Sequence, residues 1–152
     1  MGNRSDLDEI DSAILEILRK NSRTSFLEMS RITGISDATI QFRVKRMKER
    51  GIIERFTIAV NPAASGYEVT AIMLVQIDAD KHDNVKSSLS RLPEVSEVYS
   101  VLGEYDLFIK VWSNSLEELN EIINDKIHSI EGIKDLLEIV VVERVKEEMP
   151  PV

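Results

Sequence analysis

The chain of 152 residues contains no cysteine, which excludes disulfide bonds and thiolate metal sites. It has no apolar run near the roughly 20 residues that span a bilayer, and its first residues lack the apolar stretch of a signal peptide. The two histidines, His82 and His128, have no metal-ligand spacing, and no glycine-rich phosphate loop or Ser/His/Asp set occurs. We therefore expect a cytoplasmic protein with no membrane partner, metal, cofactor or catalytic residue.

The acidic charge of the chain is unevenly distributed. Over the whole chain, 19 Lys and Arg against 27 Asp and Glu give a net charge of −8. Residues 1–60 contain 11 basic and 9 acidic residues, net +2, whereas residues 61–152 contain 8 and 18, net −10. This asymmetry indicates two domains with different roles. Because phosphate binding depends on the local field, the first domain remains a candidate for nucleic acid binding.

Two helices are predicted in the first part of the chain. The first covers residues 8–20 and begins at an acidic N-cap. Ser25, followed by Glu28, forms the capping box of the second helix. In this second helix we expect Met29 and Ile32 to face the core.

A turn at Gly34 leads to a third helix, which begins at the N-cap Ser36 and ends near Arg50. Its apolar residues recur at helical spacing and predict one buried face, formed by Ile40, Val44 and Met47. The next segment, Ile52–Val60, is rich in β-branched residues and predicts a strand.

Two short helices joined by a tight turn, with Arg and Lys concentrated in the second, are typical of a helix-turn-helix whose second helix enters the DNA major groove. A solvated helix face is the alternative. Gln41 is the best candidate for base recognition, because its amide can pair with adenine. Arg43, Lys45 and Arg46 are predicted to grip phosphates and so to set affinity for all sequences. The predicted DNA-binding residues are Ser25, Ser36, Asp37, Thr39, Gln41, Phe42, Arg43, Lys45 and Arg46.

Three of these residues have a second interpretation. The hydroxyls of Ser25 and Thr39 either touch the DNA backbone or serve only in capping and packing. Asp37 either accepts a hydrogen bond from a cytosine or stabilises the helix start.

The second half of the chain has a different pattern, which starts after the turn-rich hinge Asn61–Gly66. The predicted elements are a strand over Val69–Ile77, a helix over Lys81–Leu92, strands over Val95–Leu102 and Tyr105–Trp112, a helix from Ser115 to about Ser129, and a strand over Leu136–Val145. Gly103 and Glu104 suit a two-residue type II′ hairpin loop. The order βαββαβ is that of a ferredoxin-like sheet with both helices on one face. We expect a second subunit to bury the other face.

Motifs from both halves together resemble the Lrp/AsnC, or feast/famine, family of prokaryotic transcriptional regulators. The matching pieces are Leu7–Asp11 with Ile14-Leu15, Arg23, Gly34–Ser36, Arg43–Met47, Gly51–Ile53, Gly103–Asp106 and Gly132-Ile133. The resemblance implies an α+β chain with a winged helix-turn-helix in residues 1–55, a β-linker in 56–67 and an effector-binding RAM domain in 68–152. It also implies a homodimer that assembles into a tetramer or octamer, double-stranded DNA as partner and an amino-acid effector.

In the family, the turn that corresponds to Gly103, Glu104, Tyr105 and Asp106 lines an amino-acid pocket between RAM domains. Asp106 suits an α-ammonium group, and backbone N–H groups near Gly103 suit a carboxylate. The alternative is a purely structural hairpin turn.

Two further positions of the pocket depart from the family pattern. Many relatives carry threonines at the positions of Leu136 and Glu138. The carboxylate of Glu138 favours a neutral polar effector, such as glutamine, or a basic one. The alternative is that Glu138 points into solvent.

The chain is therefore predicted to be a sequence-specific DNA-binding regulator and not an enzyme. An architectural, DNA-compacting protein would use the same basic helix with little sequence preference. A ferredoxin-like enzyme or metabolite-binding module with a vestigial N-terminal domain is the third hypothesis. The basic third helix and the missing catalytic residues argue against it.

Overall fold

The computed structural model describes residues 7–148. The chain divides into two compact units, one ending at Ala59 and the other covering Val60–Glu147. The predicted linker, residues 56–67, includes this division, and its limits stay a prediction. The outermost residues of the two predicted domains, 1–6 and 149–152, lie outside the described part of the chain.

The N-terminal unit begins with three helices, as predicted. They are α1 (Glu9–Lys20), α2 (Phe26–Thr33) and α3 (Asp37–Glu49). The predicted N-caps are confirmed: the side chains of Asp8, Ser25 and Ser36 each accept a hydrogen bond from the backbone N–H three residues later, at 2.9, 3.2 and 3.2 Å. Gly34 ends α2 with φ of 73°, a left-handed conformation that favours glycine.

The three helices enclose one small core. Its buried residues are Ile14, Leu15, Met29, Ile40, Val44 and Met47. The expectation that Ile32 faces this core is wrong, since Ile32 is 62% exposed. Met29 takes the inward position on the short α2, and Ile32 instead lines a shallow groove beside Ile17 and Ile35.

The predicted strand over Ile52–Val60 is also wrong, because this segment contains no strand in the described chain. The N–H groups of Ile52 and Ile53 donate to the carbonyl of Met47 at 2.9 and 3.2 Å, and both side chains pack against the helical core. The segment is rich in β-branched residues, as in a strand, but strand pairing also needs a neighbouring strand.

The C-terminal unit has the predicted order of elements. They are β1 (Val69–Ile77), α4 (His82–Leu89), β2 (Val95–Ser100), β3 (Leu107–Ser113), α5 (Leu116–Glu121, continued by a π-helical segment over Ile122–Ile127) and β4 (Ile133–Val140). All pairs are antiparallel, and the strands lie in the order β2-β3-β1-β4. This arrangement confirms the α+β, ferredoxin-like prediction.

The π-helical segment contributes three side chains to the core of this unit. Ile122, Ile123 and Ile127 are all buried. A π-turn brings residues five apart onto the same side, so all three isoleucines reach the core under the sheet. The sequence pattern predicted a single regular helix here and missed this widening.

The two faces of the sheet differ in burial. Along β1 the residues Ala71, Met73 and Val75 are fully buried and belong to the core. The residues between them lie on the opposite face, named here the outer face. From the strand register, its apolar residues are Ile72, Leu74, Tyr99, Phe108, Trp112, Leu137 and Ile139. Three of these, Tyr99, Leu137 and Ile139, are exposed in the single chain.

Candidate DNA-binding helix and effector site

The exposed side of α3 lies opposite its buried stripe. Successive residues of a helix are rotated by about 100°, which places Ala38, Phe42 and Lys45 on the side away from the core. Gln41 lies beside them, and all four residues are exposed. A duplex approaching this side would therefore meet one amide, one cation and two apolar side chains.

Arg43 has a different position on α3. Its guanidinium pairs with Asp8 and, at 3.2 Å, with Asp11 of α1. The side chain of Arg43 is only 19% exposed, whereas that of Lys45 is 75% exposed. Arg43 therefore joins α3 to the start of α1. If Arg43 is to bind a phosphate as predicted, its ion pairs with Asp8 and Asp11 must break.

The same contacts affect the titration of Asp8. Hydrogen bonds from the Asp11 backbone N–H and from the Arg43 guanidinium hold the pKa of the Asp8 carboxyl below its usual value. The carboxylate of Asp11 is almost completely buried. A buried carboxylate is stable only when it is paired, so Arg43 compensates its charge.

Most of the predicted polar contacts at the start of α3 and α2 are occupied in the free chain. Ser25 and Ser36 serve as N-caps, Ser36 shares a 2.8 Å hydrogen bond with the Thr39 hydroxyl, and Asp37 accepts from the Ala38 N–H. These residues are exposed, so their DNA contacts stay predictions. Arg46 is half-buried at the edge of the exposed side.

In the C-terminal unit, the loop between β2 and β3 is longer than predicted. The Val101 N–H donates to the Asp106 carbonyl at 2.9 Å, which leaves residues 102–105 between them. Gly103 does not adopt the positive φ of a type II′ turn, so the two-residue hairpin prediction is wrong. The reason is that Asp106 binds β1: its N–H donates to the Val75 carbonyl, and its carboxylate accepts from the Ile77 N–H at 2.8 Å.

This loop has a second attachment and several free donors. The Gln76 side-chain amide donates to the Glu104 carbonyl at 2.9 Å. Within residues 7–148, the backbone N–H groups of Gly103, Glu104 and Tyr105 make no hydrogen bond. Three such donors in one turn can bind an anionic group. Sequence analysis missed Gln76 and Ile77, because both lie far from the loop in the chain.

The strand register places the other predicted effector residues. Val75 pairs with Leu107 on one side and Leu136 on the other, so the Asp106 turn and Leu136 lie at the same end of the sheet, two strand spacings or about 10 Å apart. Glu138 pairs with Met73, further from the turn, and is exposed. The structure thus brings residues 103–106 near Leu136 but leaves Glu138 apart.

Comparison with protein families agrees with both halves of this architecture. Residues 7–54 match the model described as winged helix-turn-helix DNA-binding, and residues 70–151 match that of the Lrp/AsnC ligand binding domain. The chain belongs to the Lrp/AsnC family. The candidate effector residues lie in the part of the chain that matches the ligand binding domain, and α3 lies in the part that matches the DNA-binding domain.

Individual relatives of this Lrp/AsnC protein cover nearly its whole length. The HTH-type transcriptional regulator FL11 of Pyrococcus furiosus is 41% identical over 95% of each chain. The structure of AsnC from E. coli superposes with a TM-score of 0.91 at 32% identity, covering 96% of this chain and 99% of AsnC. A Neisseria meningitidis regulator solved with L-methionine has a TM-score of 0.90 at 23% identity, covering 95% and 96%, and this likeness shows the fold alone. The Pyrococcus and Neisseria proteins are named as transcriptional regulators.

No helix among residues 7–148 is long and apolar enough to cross a membrane. In the same residues, no group of three or more metal-ligating side chains is close enough to hold a metal ion. The chain is an Lrp/AsnC-type helix-turn-helix transcriptional regulator with a ligand-binding domain.

Proposed function

We propose that this regulator binds specific DNA sequences as a homo-oligomer and responds to a small amino acid bound between its RAM domains. The observation that carries the proposal is the exposed side of α3, where Gln41 and Lys45 stand free of the core. An amide recognises base edges. The Lys45 ammonium group is exposed and pairs with Glu49 only at 3.8 Å, so it can neutralise a phosphate. The charge of residues 61–152 is net −10, which favours keeping that half away from DNA.

The outer face of the sheet supports pairing between two copies of the chain. Its apolar side chains are partly exposed to water, and burying such a face against a second sheet is favourable. Lys110 lies on this face but pairs with Glu97 at 3.4 Å and with Glu147. The Lys110 hydrogen bond holds the pKa of Glu147 below its usual value. Because this cation is neutralised, it does not prevent a partner from covering the face. A two-fold dimer would present two α3 helices to a partly palindromic site.

The turn at residues 103–106 supports an amino-acid effector. Its free N–H groups suit the carboxylate of the effector, and the oxygen of Asp106 that Ile77 leaves free suits an ammonium group. Glu104, an exposed acidic neighbour, favours a neutral polar effector such as glutamine, or a basic one, over an acidic one. The match of residues 70–151 to the Lrp/AsnC ligand binding domain supports a small-molecule effector.

The first experiment combines DNA binding with sedimentation. A fluorescent fragment of the protein's own promoter and a scrambled fragment of equal length are titrated with the pure protein, with and without each amino acid. Sedimentation of the same mixtures gives the number of subunits. We expect tighter binding to the promoter than to the scrambled fragment, and a change of mass or affinity with one amino acid or a few of similar chemistry.

Three other outcomes would contradict parts of the proposal. Equal binding to both fragments would favour an architectural DNA-compacting protein. If no amino acid alters DNA binding, self-assembly would be the remaining function of the RAM domain. Absence of binding at low salt, where phosphate contacts are strongest, would remove the DNA-binding function.

A further inference from the structure

The exposed side of α3 contains two apolar residues, Ala38 and Phe42, whose exposure to water is not explained by phosphate binding. Phe42 is 62% exposed, and within residues 7–148 its ring makes no aromatic or cation–π contact. Ala38, also exposed, lies one helical turn before it. On an ideal helix the two side chains are about 40° apart and point away from the core. They form a continuous apolar patch.

The neighbours of this pair are all polar. Gln41 precedes Phe42 on the exposed side, and Lys45 follows it by three residues. Helix neighbours three and four residues apart lie side by side, so the apolar pair sits between an amide and a cation. A ring in this position lies at the centre of the surface that would enter the groove and not at its rim.

The major groove offers one apolar group to such a patch. Every base edge there presents hydrogen-bond donors or acceptors, and only thymine adds a methyl group, on C5. Contact with that methyl removes both partners from water, as for any apolar pair. A guanine, cytosine or adenine edge would instead lose hydration against the ring without a hydrogen bond in return.

We infer that Phe42, with Ala38 beside it, recognises the 5-methyl group of a thymine in each half-site. Gln41 would contact an adenine next to it, so the binding site should contain adjacent A·T pairs at this point. The inference rests on the proposed DNA-binding function and deepens it, because it names a base and the group by which that base is selected.

The test replaces the methyl group without changing base pairing. Sites are first enriched from a random duplex library with the wild-type protein. In an enriched site, each thymine is then replaced singly by deoxyuridine, which pairs with adenine in the same way but lacks the methyl. We expect one replacement per half-site to weaken wild-type binding by about fourfold, as for the loss of one buried methyl group.

The variant Phe42→Ala shows whether Phe42 makes this contact. Its affinity should fall for the thymine site and should no longer respond to deoxyuridine at that position, whereas Phe42→Leu should keep part of the response. Ile32→Ala is the matched control, because Ile32 is equally exposed at 62% but lies on α2. It should retain the full response. Equal melting temperatures of the variants would show that folding is unaffected.

The possible failures are distinguishable. If the wild-type protein enriches no duplex, the DNA-binding proposal itself fails. If it binds enriched sites but no deoxyuridine replacement weakens binding, only the thymine inference is overturned. A deoxyuridine effect that persists unchanged in Phe42→Ala would also overturn it, because the methyl would then contact another residue.

Discussion

The two units of the chain present their candidate sites in opposite ways. In the N-terminal unit the candidate site is the exposed side of one helix, α3, whose other side belongs to the core. In the C-terminal unit the candidate site combines the loop before β3 with β1 and β4. The first site is complete in a single copy, while the second lies beside an apolar face that remains partly exposed to water.

The comparison indicates which property a substitution in each unit should change. Changing an exposed residue of α3 should alter DNA binding and leave folding intact, because exposed substitutions cost little stability. A change on the outer face should act through self-association. The following experiments test this difference, starting with the largest effect.

The largest effect is expected from a charge on the outer face. Ile139→Asp should convert the assembled protein into monomers, because an unpaired carboxylate is costly to bury. Affinity for a duplex with two half-sites should then fall by about 100-fold or more, since the second α3 helix is no longer linked to the first. Sedimentation and fluorescence anisotropy measure the two effects.

Val142→Asp is the matched control for this change. Val142 is fully exposed just beyond β4, so the added charge should leave assembly and DNA affinity unchanged. If Ile139→Asp remains assembled, or if it binds the two half-sites as tightly as the wild type, the outer face is not the pairing surface.

The next prediction distinguishes the roles of two cations on α3, Arg43 and Lys45. Arg43→Ala should lower the melting temperature by about 5 to 10 °C, because it leaves Asp11 buried without its partner. Lys45→Ala should leave the melting temperature unchanged. It should instead reduce the slope of log affinity against log salt by about one, as for one lost phosphate contact. Thermal melting and salt titration test both variants.

A reversed result would restore the original prediction for Arg43. If Arg43→Ala melts like the wild type and shows the reduced salt slope, Arg43 contacts phosphate in the complex. Asp11→Asn offers an independent check, since it should cost stability but leave the salt slope unchanged.

Arg43 also shows what sequence patterns can and cannot predict. The N-caps Ser25 and Ser36 were predictable because their partners lie three residues away. The Asp11 partner of Arg43 lies 32 residues away, and only the packing of α1 on α3 brings it close. Spacing within α3 could have indicated this, since Arg43 lies three residues after the buried Ile40 and four residues before the buried Met47.

The errors in the strands and loops have the same origin. The β-branched residues of Ile52–Val60 predicted a strand, but composition does not say whether a partner strand is present. The loop at Gly103 was predicted as a two-residue turn from local composition. The sequence does not reveal the hydrogen bonds of Asp106 to Val75 and Ile77, because these partners lie about 30 residues away in the chain. The order of helices and strands was predictable, because the spacing of apolar residues that distinguishes a helix from a strand is contained within each segment.

A smaller effect is expected at Asp106, where structural and binding roles can be separated. Asp106→Asn keeps an oxygen that accepts from the Ile77 N–H, so the loop should remain in place and stability should change little. Loss of the charge should weaken the amino-acid effector by about 10- to 100-fold, measured by calorimetry. Asp135→Asn is the control, because Asp135 is an exposed carboxylate on β4. Unchanged effector affinity in Asp106→Asn would exclude an ammonium contact.

The smallest effect is a pH dependence that belongs to the N-terminal unit alone. Hydrogen bonds from the Asp11 backbone N–H and from the Arg43 guanidinium hold the pKa of Asp8 below its usual value. Ionised Asp8 therefore stabilises this unit at pH values above its unfolded-state pKa. The contribution is lost as the pH falls through the folded-state pKa. Asp8→Asn should therefore melt at a lower temperature than the wild type at pH 7, and the gap should narrow below about pH 4. Glu16→Gln, which removes an exposed carboxylate of α1, is the control. A gap that persists at low pH would mean that the Asp8 carboxylate does not stabilise the helix pair by its charge.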